Sequence, residues 1–139
     1  MLYRVVLRTA LAITAMVLIA TPVRAKDCPT KESGYEARED AVRKAPSCKE
    51  ALAVMEACAY TASGDTGLGL IVHERCESEF LPRLSKAQKR AYEREQKRCD
   101  DKYARKEGTM YRSFTAFCQA QRAVNYARRF GGKAAAAKR

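Results

Sequence analysis

The chain has 139 residues, with 27 lysines and arginines against 16 acidic residues, which gives a formal net charge of +11. This length predicts one domain with a modest core. The positive charge favours acidic partners such as lipid headgroups, anionic cell-wall polymers or nucleic acid, although the same charge also keeps a small protein soluble.

The first 25 residues have the pattern of a cleavable export signal. Arg4 and Arg8 give a basic start, an apolar stretch follows from 10 to 20, and the small residue Ala25 precedes the predicted cut. The stretch is too short for a membrane anchor, which needs about 20 uninterrupted apolar residues. We therefore predict a periplasmic or secreted mature chain, Lys26–Arg139, in which 24 basic and 16 acidic residues leave a formal charge of +8.

Six cysteines follow the export signal, at positions 28, 48, 58, 76, 99 and 118. An even number of thiols in an oxidising compartment predicts three disulfides, for which 15 connectivities exist. Cys99 and Cys118 lie nine and ten residues either side of Gly108, and Cys58 and Cys76 lie about symmetrically around a turn at 63–67. We expect these two pairs because residues equally far from a turn meet on antiparallel helices, and elimination then pairs Cys28 with Cys48.

Helix start signals recur along the mature chain and strand signals are scarce, so the sequence predicts an all-α fold. Possible capping boxes precede three segments, at Ser33 with Glu36, Ser47 with Glu50, and Ser85 with Gln88. We predict a disulfide-stapled bundle of four to five helices arranged as hairpins, with helices at Tyr35–Ala45, 48–62, Leu68–Leu81, 86–106 and Met110–Phe130. Residues 26–130 would form the single domain, and 131–139 a flexible basic tail.

The last predicted helix has the strongest amphipathic pattern in the chain. Its helically spaced residues are Met110, Phe114, Phe117, Cys118, Gln121 and Val124, and we expect this stripe to face the core. Tyr92 and Tyr103 should pack onto this helix, because both lie on the Cys99 side of the preceding helix.

The sequence gives little sign of catalysis. No two cysteines lie two to four residues apart and there is one histidine, so we expect no zinc site, no thiol oxidoreductase activity and no cofactor. His73 lies outside any recognised catalytic motif, and we predict that it is a surface residue. Glu77 and Glu79 are two residues apart on a helix and point to different sides, which argues against a glycosidase pair. We predict a binding protein and not an enzyme.

A basic cluster marks the fourth predicted helix. The residues that we expect to bind a polyanion are Lys86, Lys89, Arg90, Lys97 and Lys102, with Arg94 and further arginines beside them. Acidic residues such as Glu93 and Asp101 are interleaved, which is also the pattern of a solvated helix face.

The C-terminal run CDDKYARKEGTMYRSFTAFCQAQRAVNYARRF, residues 99–130, resembles the end of the LprI-type lysozyme-inhibitor domain, a small exported helical module of bacteria. The shared features are a cysteine and an aromatic residue near a helix end, a Gly-Thr turn, a second cysteine, and an Arg-Ala pair. In this chain they are Cys99, Tyr103, Gly108, Thr109, Cys118, Arg122 and Ala123. The resemblance implies an exported helical protein of the cell envelope and, in function, lysozyme inhibition.

Two departures from the family bear on that function. The Asp-rich and Leu-Asn segment expected before the long helix is replaced by GLGLIVHERCESEF. Common lysozymes are basic, so a basic inhibitor would be repelled on approach unless it carried a local acidic patch. Glu74, Glu77 and Glu79 are the dense acidic candidate for a lysozyme or another envelope protein. The alternative is a basic envelope protein that binds anionic polymer or lipid headgroups through residues 86–106. The sequence does not predict the oligomeric state.

Overall fold

The computed structural model describes residues 27–132 as five α-helices with no strand. The helices are α1 (Tyr35–Arg43), α2 (Cys48–Cys58), α3 (Asp65–Phe80), α4 (Lys86–Tyr103) and α5 (Thr109–Phe130), with a turn of 3₁₀ helix at Leu81–Arg83. The predicted all-α class with three disulfides is confirmed. The predicted export signal and the tail from 133 onward lie outside the described residues.

Two of the three predicted capping pairs act at helix starts. Ser47 accepts a hydrogen bond from the backbone N–H of Glu50, and Ser85 and Gln88 form the complete reciprocal box. The predicted Ser33 and Glu36 box is wrong, because α1 begins at Tyr35 with Gly34 as its N-cap. Ser33 therefore lies one residue too early to cap α1, and Glu36 one residue too early to complete a box.

The connection between α2 and α3 differs from the sequence prediction. The prediction extended α2 to Ala62 and began α3 at Leu68, whereas α2 ends at Cys58 and α3 begins at Asp65. Ala59 is extended and Thr61 has a positive φ of 55°, so the helix cannot continue through them. The side chain of Asp65 accepts a hydrogen bond from the backbone N–H of Tyr60 at 2.7 Å, which closes the loop at the first residue of α3.

Helix α3 lies at the centre of the bundle. Its buried side chains include Leu68, Val72, Cys76 and Phe80, and α1, α2 and α5 all pack against it. Helices α1, α3 and α5 run in one direction, because Tyr35 lies over Gly67 and Asp65 contacts Ser113. Helices α2 and α4 run in the opposite direction, so consecutive helices alternate up and down.

The buried face of α5 consists of small residues, which corrects the predicted core stripe. Ser113, Ala116, Ala120, Ala123 and Ala127 are buried at helical spacing. Met110 is 45% exposed and Phe114 is 37% exposed, while Phe117 and Val124 are partly buried beside the core. Small side chains occupy the face of α5 that packs on α3 because the two helices approach closely. A Cβ on Gly69 would lie 3.0 Å from the Cβ of Ala116. The larger apolar residues are consequently displaced to the flank of α5.

The disulfide pairing agrees with the sequence prediction at one bond and contradicts it at two. The bonds are Cys28–Cys58, Cys48–Cys76 and Cys99–Cys118, so only the last was predicted correctly. Cys48 meets Cys76 because each lies ten or eleven helical residues from the ends of α2 and α3 that the loop joins. The loop residues 59–64 add chain length but little distance along the helix axes, so counting residues from the turn gave the wrong partner for Cys76.

Candidate functional site

The outward surface of α4 carries most of the exposed charge that the sequence analysis selected. Lys86, Lys89, Arg90, Lys97 and Lys102 are all exposed. Tyr92 and Cys99 are the fully buried residues of this 18-residue helix, so a single narrow face is used for packing. The rest of α4 is turned towards solvent.

Helical spacing brings three of these five residues onto one line. At about 100° per residue, Lys86, Arg90 and Lys97 fall within an arc of roughly 40° on the side opposite Tyr92. Arg94 is also exposed, and it widens the arc to roughly 80°. We call these four residues the α4 stripe; it is about 16 Å long. The sequence places Arg94 in the same basic cluster but outside the five residues expected to bind; its four-residue spacing from Arg90 is the signal that adds it to the line.

The two remaining predicted cations lie on opposite flanks of α4. Lys89 is displaced from the α4 stripe by roughly 100° towards one flank, and Lys102 by roughly 120° towards the other. The ammonium group of Lys102 lies 5.0 Å from the centre of the Tyr103 ring, at the end of α4. These two residues therefore do not extend the stripe.

Three of the four stripe cations carry no ion pair within the described part of the chain. Lys97 is the exception, because its ammonium group binds Asp101, and this hydrogen bond raises the pKa of Lys97. Lys86, Arg90 and Arg94 have no carboxylate within 4.0 Å among residues 27–132. Their charges are available to an external anion.

The three glutamates proposed for a protein partner are not gathered on one face of α3. Glu79 accepts a hydrogen bond from the backbone N–H of Cys48 at 3.2 Å and lies 3.7 Å from Arg75, so it caps the start of α2. Glu77 lies 3.5 Å from Nε2 of His73, on the side of α3 that faces Tyr92. Glu74 is exposed. The structure thus leaves one of the three carboxylates, that of Glu74, without a hydrogen bond or ion pair within the described residues.

His73 forms a small polar cluster with Tyr92 between α3 and α4. Its Nε2 lies 2.7 Å from the hydroxyl of Tyr92, and its side chain is only 26% exposed, so it is less exposed than the sequence suggested. Burial and the nearby Glu77 carboxylate raise the pKa of Tyr92 above its usual value. Phe80 and Tyr126 pack against the same ring, and this contact joins α4 to α3 and α5 as the sequence analysis expected for Tyr92.

A buried carboxylate that the sequence analysis did not single out ties α3 to α5. Asp65 is completely buried and accepts hydrogen bonds from the hydroxyl of Ser113 at 2.6 Å and the backbone N–H of Tyr60. Each of its oxygens has a protein donor and the side chain is closed off from solvent, so Asp65 serves the fold and not the binding of a ligand.

The described residues 27–132 contain no group of three or more histidine, cysteine or acidic side chains placed to hold a metal ion. Within the same range, none of the helices has both the length and the apolar composition needed to cross a membrane. Every cysteine in this range is paired, which is consistent with an extracellular or secreted protein.

Comparisons of this chain with family models, with curated proteins and with solved structures give no match.

Proposed function

We propose that the protein is an exported helical binding protein of the bacterial cell envelope, and that it binds a chain-like anionic polymer through the α4 stripe. The observation that carries this proposal is the alignment of Lys86, Arg90 and Arg94 on one exposed line, without ion pairs among the described residues. Their spacing repeats every four residues, so a linear polyanion laid along α4 would meet all three charges.

The attachment of α4 to the bundle supports the proposal that the α4 stripe binds a polyanion. Cys99 is bonded to Cys118 on α5, and Tyr92 packs on Tyr126 with 4.8 Å between ring centres. The helix therefore presents its cations from a fixed position, and less conformational entropy is lost on binding than with a mobile basic segment. A site built from exposed cations binds mainly through electrostatic attraction, so its affinity should depend steeply on salt.

The test compares two triple variants with the same loss of charge. In the stripe variant, Lys86, Arg90 and Arg94 are each replaced by Gln; in the control, Arg105, Lys106 and Arg112 are each replaced by Gln. We expect the stripe variant to bind fluorescent inorganic polyphosphate at least tenfold more weakly than wild type at 50 mM salt, and the control to change by less than about threefold. Equal losses in both variants would show that only net charge matters and would reject the stripe as a site.

We propose lysozyme inhibition, which the resemblance to the LprI-type domain implies, as the second candidate function. The Cys99–Cys118 bond across the turn at Gly108 supports it, because a cross-linked hairpin is the motif of the resemblance. Of the three glutamates selected from sequence, Glu74 is the exposed one, and it is available to a basic partner. A lysozyme activity assay at physiological salt tests the candidate: inhibition that is lost in Glu74→Gln supports it, and the absence of inhibition by the wild-type protein rejects it.

A further inference from the structure

The large apolar side chains that remain exposed all lie at one end of the bundle. In the described residues these are Tyr35 at 45%, Leu70 at 57%, Met110 at 45% and Phe114 at 37% exposed. Tyr35 is the first residue of α1, Leu70 follows the start of α3 by five residues, and Phe114 follows the start of α5 by five. The contacts of Tyr35 with Gly67, and of Asp65 with Ser113, bring these three helix starts together. We call the end of the bundle that carries these four exposed residues the apolar end.

The four side chains lie on different sides of the bundle at the apolar end, and they do not form one flat patch. Leu70 lines a groove between α3 and α5 together with Arg112. Phe114 lies on another side of α5, where its ring packs against Tyr103 and Tyr111 with centres 5.8 and 5.9 Å apart. Tyr35, at the start of α1, lies over Gly67 and stacks on Tyr60 with 6.2 Å between ring centres. A partner protein with a rigid surface would meet these residues from one side, whereas a fluid interface can accept all of them when the bundle approaches end-on.

Basic side chains accompany the apolar residues. Lys102, Arg105, Lys106 and Arg112 are exposed near the same end, and none has a carboxylate within 4.0 Å among residues 27–132. The acidic residues nearest to them in sequence are Asp100, Asp101 and Glu107. Asp100 accepts a hydrogen bond from Gln119, and Asp101 is bound by Lys97, so Glu107 is the one without a partner in the described range. Glu36, beside Tyr35, and Glu56, in the last turn of α2, are also exposed at this end, so the positive charge is confined to its α4–α5 side, around Met110 and Phe114. That side complements an anionic surface.

From these observations we propose that the apolar end docks onto an anionic lipid bilayer, with Met110 and Phe114 entering the headgroup region. Leu70 and Phe114 each lie about 8 Å along the axis from the start of their helix, so both reach the bilayer when the end of the bundle sinks into the headgroup region by about that distance. Tyr35, Tyr103 and Tyr111 would occupy the headgroup level, where tyrosine is favoured. The flanking cations would contact lipid phosphates.

This docking surface is separate from the α4 stripe, so the two proposals can fail independently. The stripe runs from Lys86, 17 residues before Tyr103 on α4, to Lys97, six residues before it, so its cations lie about 25 to 9 Å from the apolar end, beyond the screening length of about 8 Å at physiological salt. A protein docked end-on would therefore leave most of α4 clear of the bilayer.

The experiment uses protein that has been exported into an oxidising compartment. Mass spectrometry identifies the residue at which its chain begins. The chain contains no tryptophan, so a single substitution reports from one place. Phe114→Trp places the reporter at the apolar end, and Ala87→Trp places it at an exposed position in the first turn of α4, at the opposite end. Vesicles of phosphatidylglycerol and phosphatidylcholine carry bromine on their acyl chains. We expect at least a twofold loss of Phe114→Trp emission and almost no loss from Ala87→Trp.

Variants without an introduced tryptophan test the same surface by flotation with unlabelled vesicles. We expect Met110→Ser with Phe114→Ser to weaken partition about tenfold. Replacing Arg105, Lys106 and Arg112 by Gln should weaken it by a similar factor, while the stripe variant should bind vesicles within about threefold of wild type. Equal quenching of both tryptophans, or vesicle binding that survives loss of Met110 and Phe114, would overturn the proposal. Binding of soluble polyphosphate without any vesicle binding would overturn it too, and would leave the α4 stripe intact as a site.

Discussion

Single residues in the core show how far a side chain's role depends on neighbours that are distant in sequence. Asp65 reads in the sequence as part of a turn, yet it is completely buried and binds Ser113, 48 residues later. A buried carboxylate without partners would be costly, so the two donors provided by Tyr60 and Ser113 are what permit it. No local pattern predicts this contact, because the donor that completes it belongs to another helix.

The pKa of Tyr92 likewise depends on its neighbours, and it makes the stability of the protein depend on pH. Burial and Glu77 raise its pKa, so the folded state keeps the phenol proton at a pH where an unfolded chain, with a tyrosine pKa near 10, loses it. The stabilisation is therefore complete below about pH 10 and is lost as the pH rises above it. We expect the free energy of unfolding to fall between pH 10 and 11, with a slope of up to about 1.4 kcal/mol per pH unit from this group.

Urea unfolding of the oxidised protein, followed by far-UV circular dichroism at pH 9 and 11, measures this slope. Tyr92→Phe should flatten it. Tyr35→Phe is the control, because the pKa of Tyr35 is also raised, by burial and by Glu39, but this side chain is 45% exposed. A slope that Tyr92→Phe leaves unchanged would contradict the assignment.

At the scale of helices, α3 and α5 pack closely against each other. Gly69 faces Ala116 near the starts of the two helices, and the other buried residues of α5 are also small. Sequence periodicity located α5 correctly to within one residue at its start, but it selected the face with the largest side chains. Helix α5 turns its small residues towards α3 instead. Close approach of the two backbones buries more of the central helix than large side chains between them would allow.

We expect Gly69→Leu to destabilise the protein by about 2 kcal/mol or more, since the new side chain would overlap Ala116 and cannot be accommodated without moving α5. Glu74→Leu introduces the same residue into the same helix at an exposed position and should change stability by no more than about 0.5 kcal/mol. The midpoints of urea unfolding compare the two variants. Similar midpoints would mean that α3 and α5 are not in close contact.

At the scale of the whole molecule, three disulfides compensate for a small core. Two of them join the N-terminal part of the chain to α2 and α2 to α3, and the third joins α4 to α5. Each is expected to contribute about 2–4 kcal/mol, against a total stability of about 5–15 kcal/mol for a typical domain.

We therefore expect full reduction to unfold the protein at 25 °C and neutral pH, seen as loss of helical circular dichroism. Alkylation of the thiols keeps the chain reduced during the measurement. Peptide mapping of the unreduced protein supplies the complementary test, and it should recover Cys28–Cys58 and Cys48–Cys76. Recovery of Cys58–Cys76 would instead favour the pairing inferred from the spacing around the 63–67 turn.

The sequence by itself determined the all-α class, the helices to within a few residues, the Cys99–Cys118 bond and the exposed cations of α4. These follow from signals that act within about four residues, such as the box of Ser85 and Gln88 or the break at Gly108, whose φ is 107°. Only the tertiary structure decided the partners of Cys58 and Cys76, the buried face of α5, the separation of Glu74, Glu77 and Glu79, and the exposure of Met110 and Phe114. Those features depend on how each helix is rotated and shifted against its neighbours, and that is set by contacts such as Gly69 against Ala116, between residues nearly fifty positions apart in the chain.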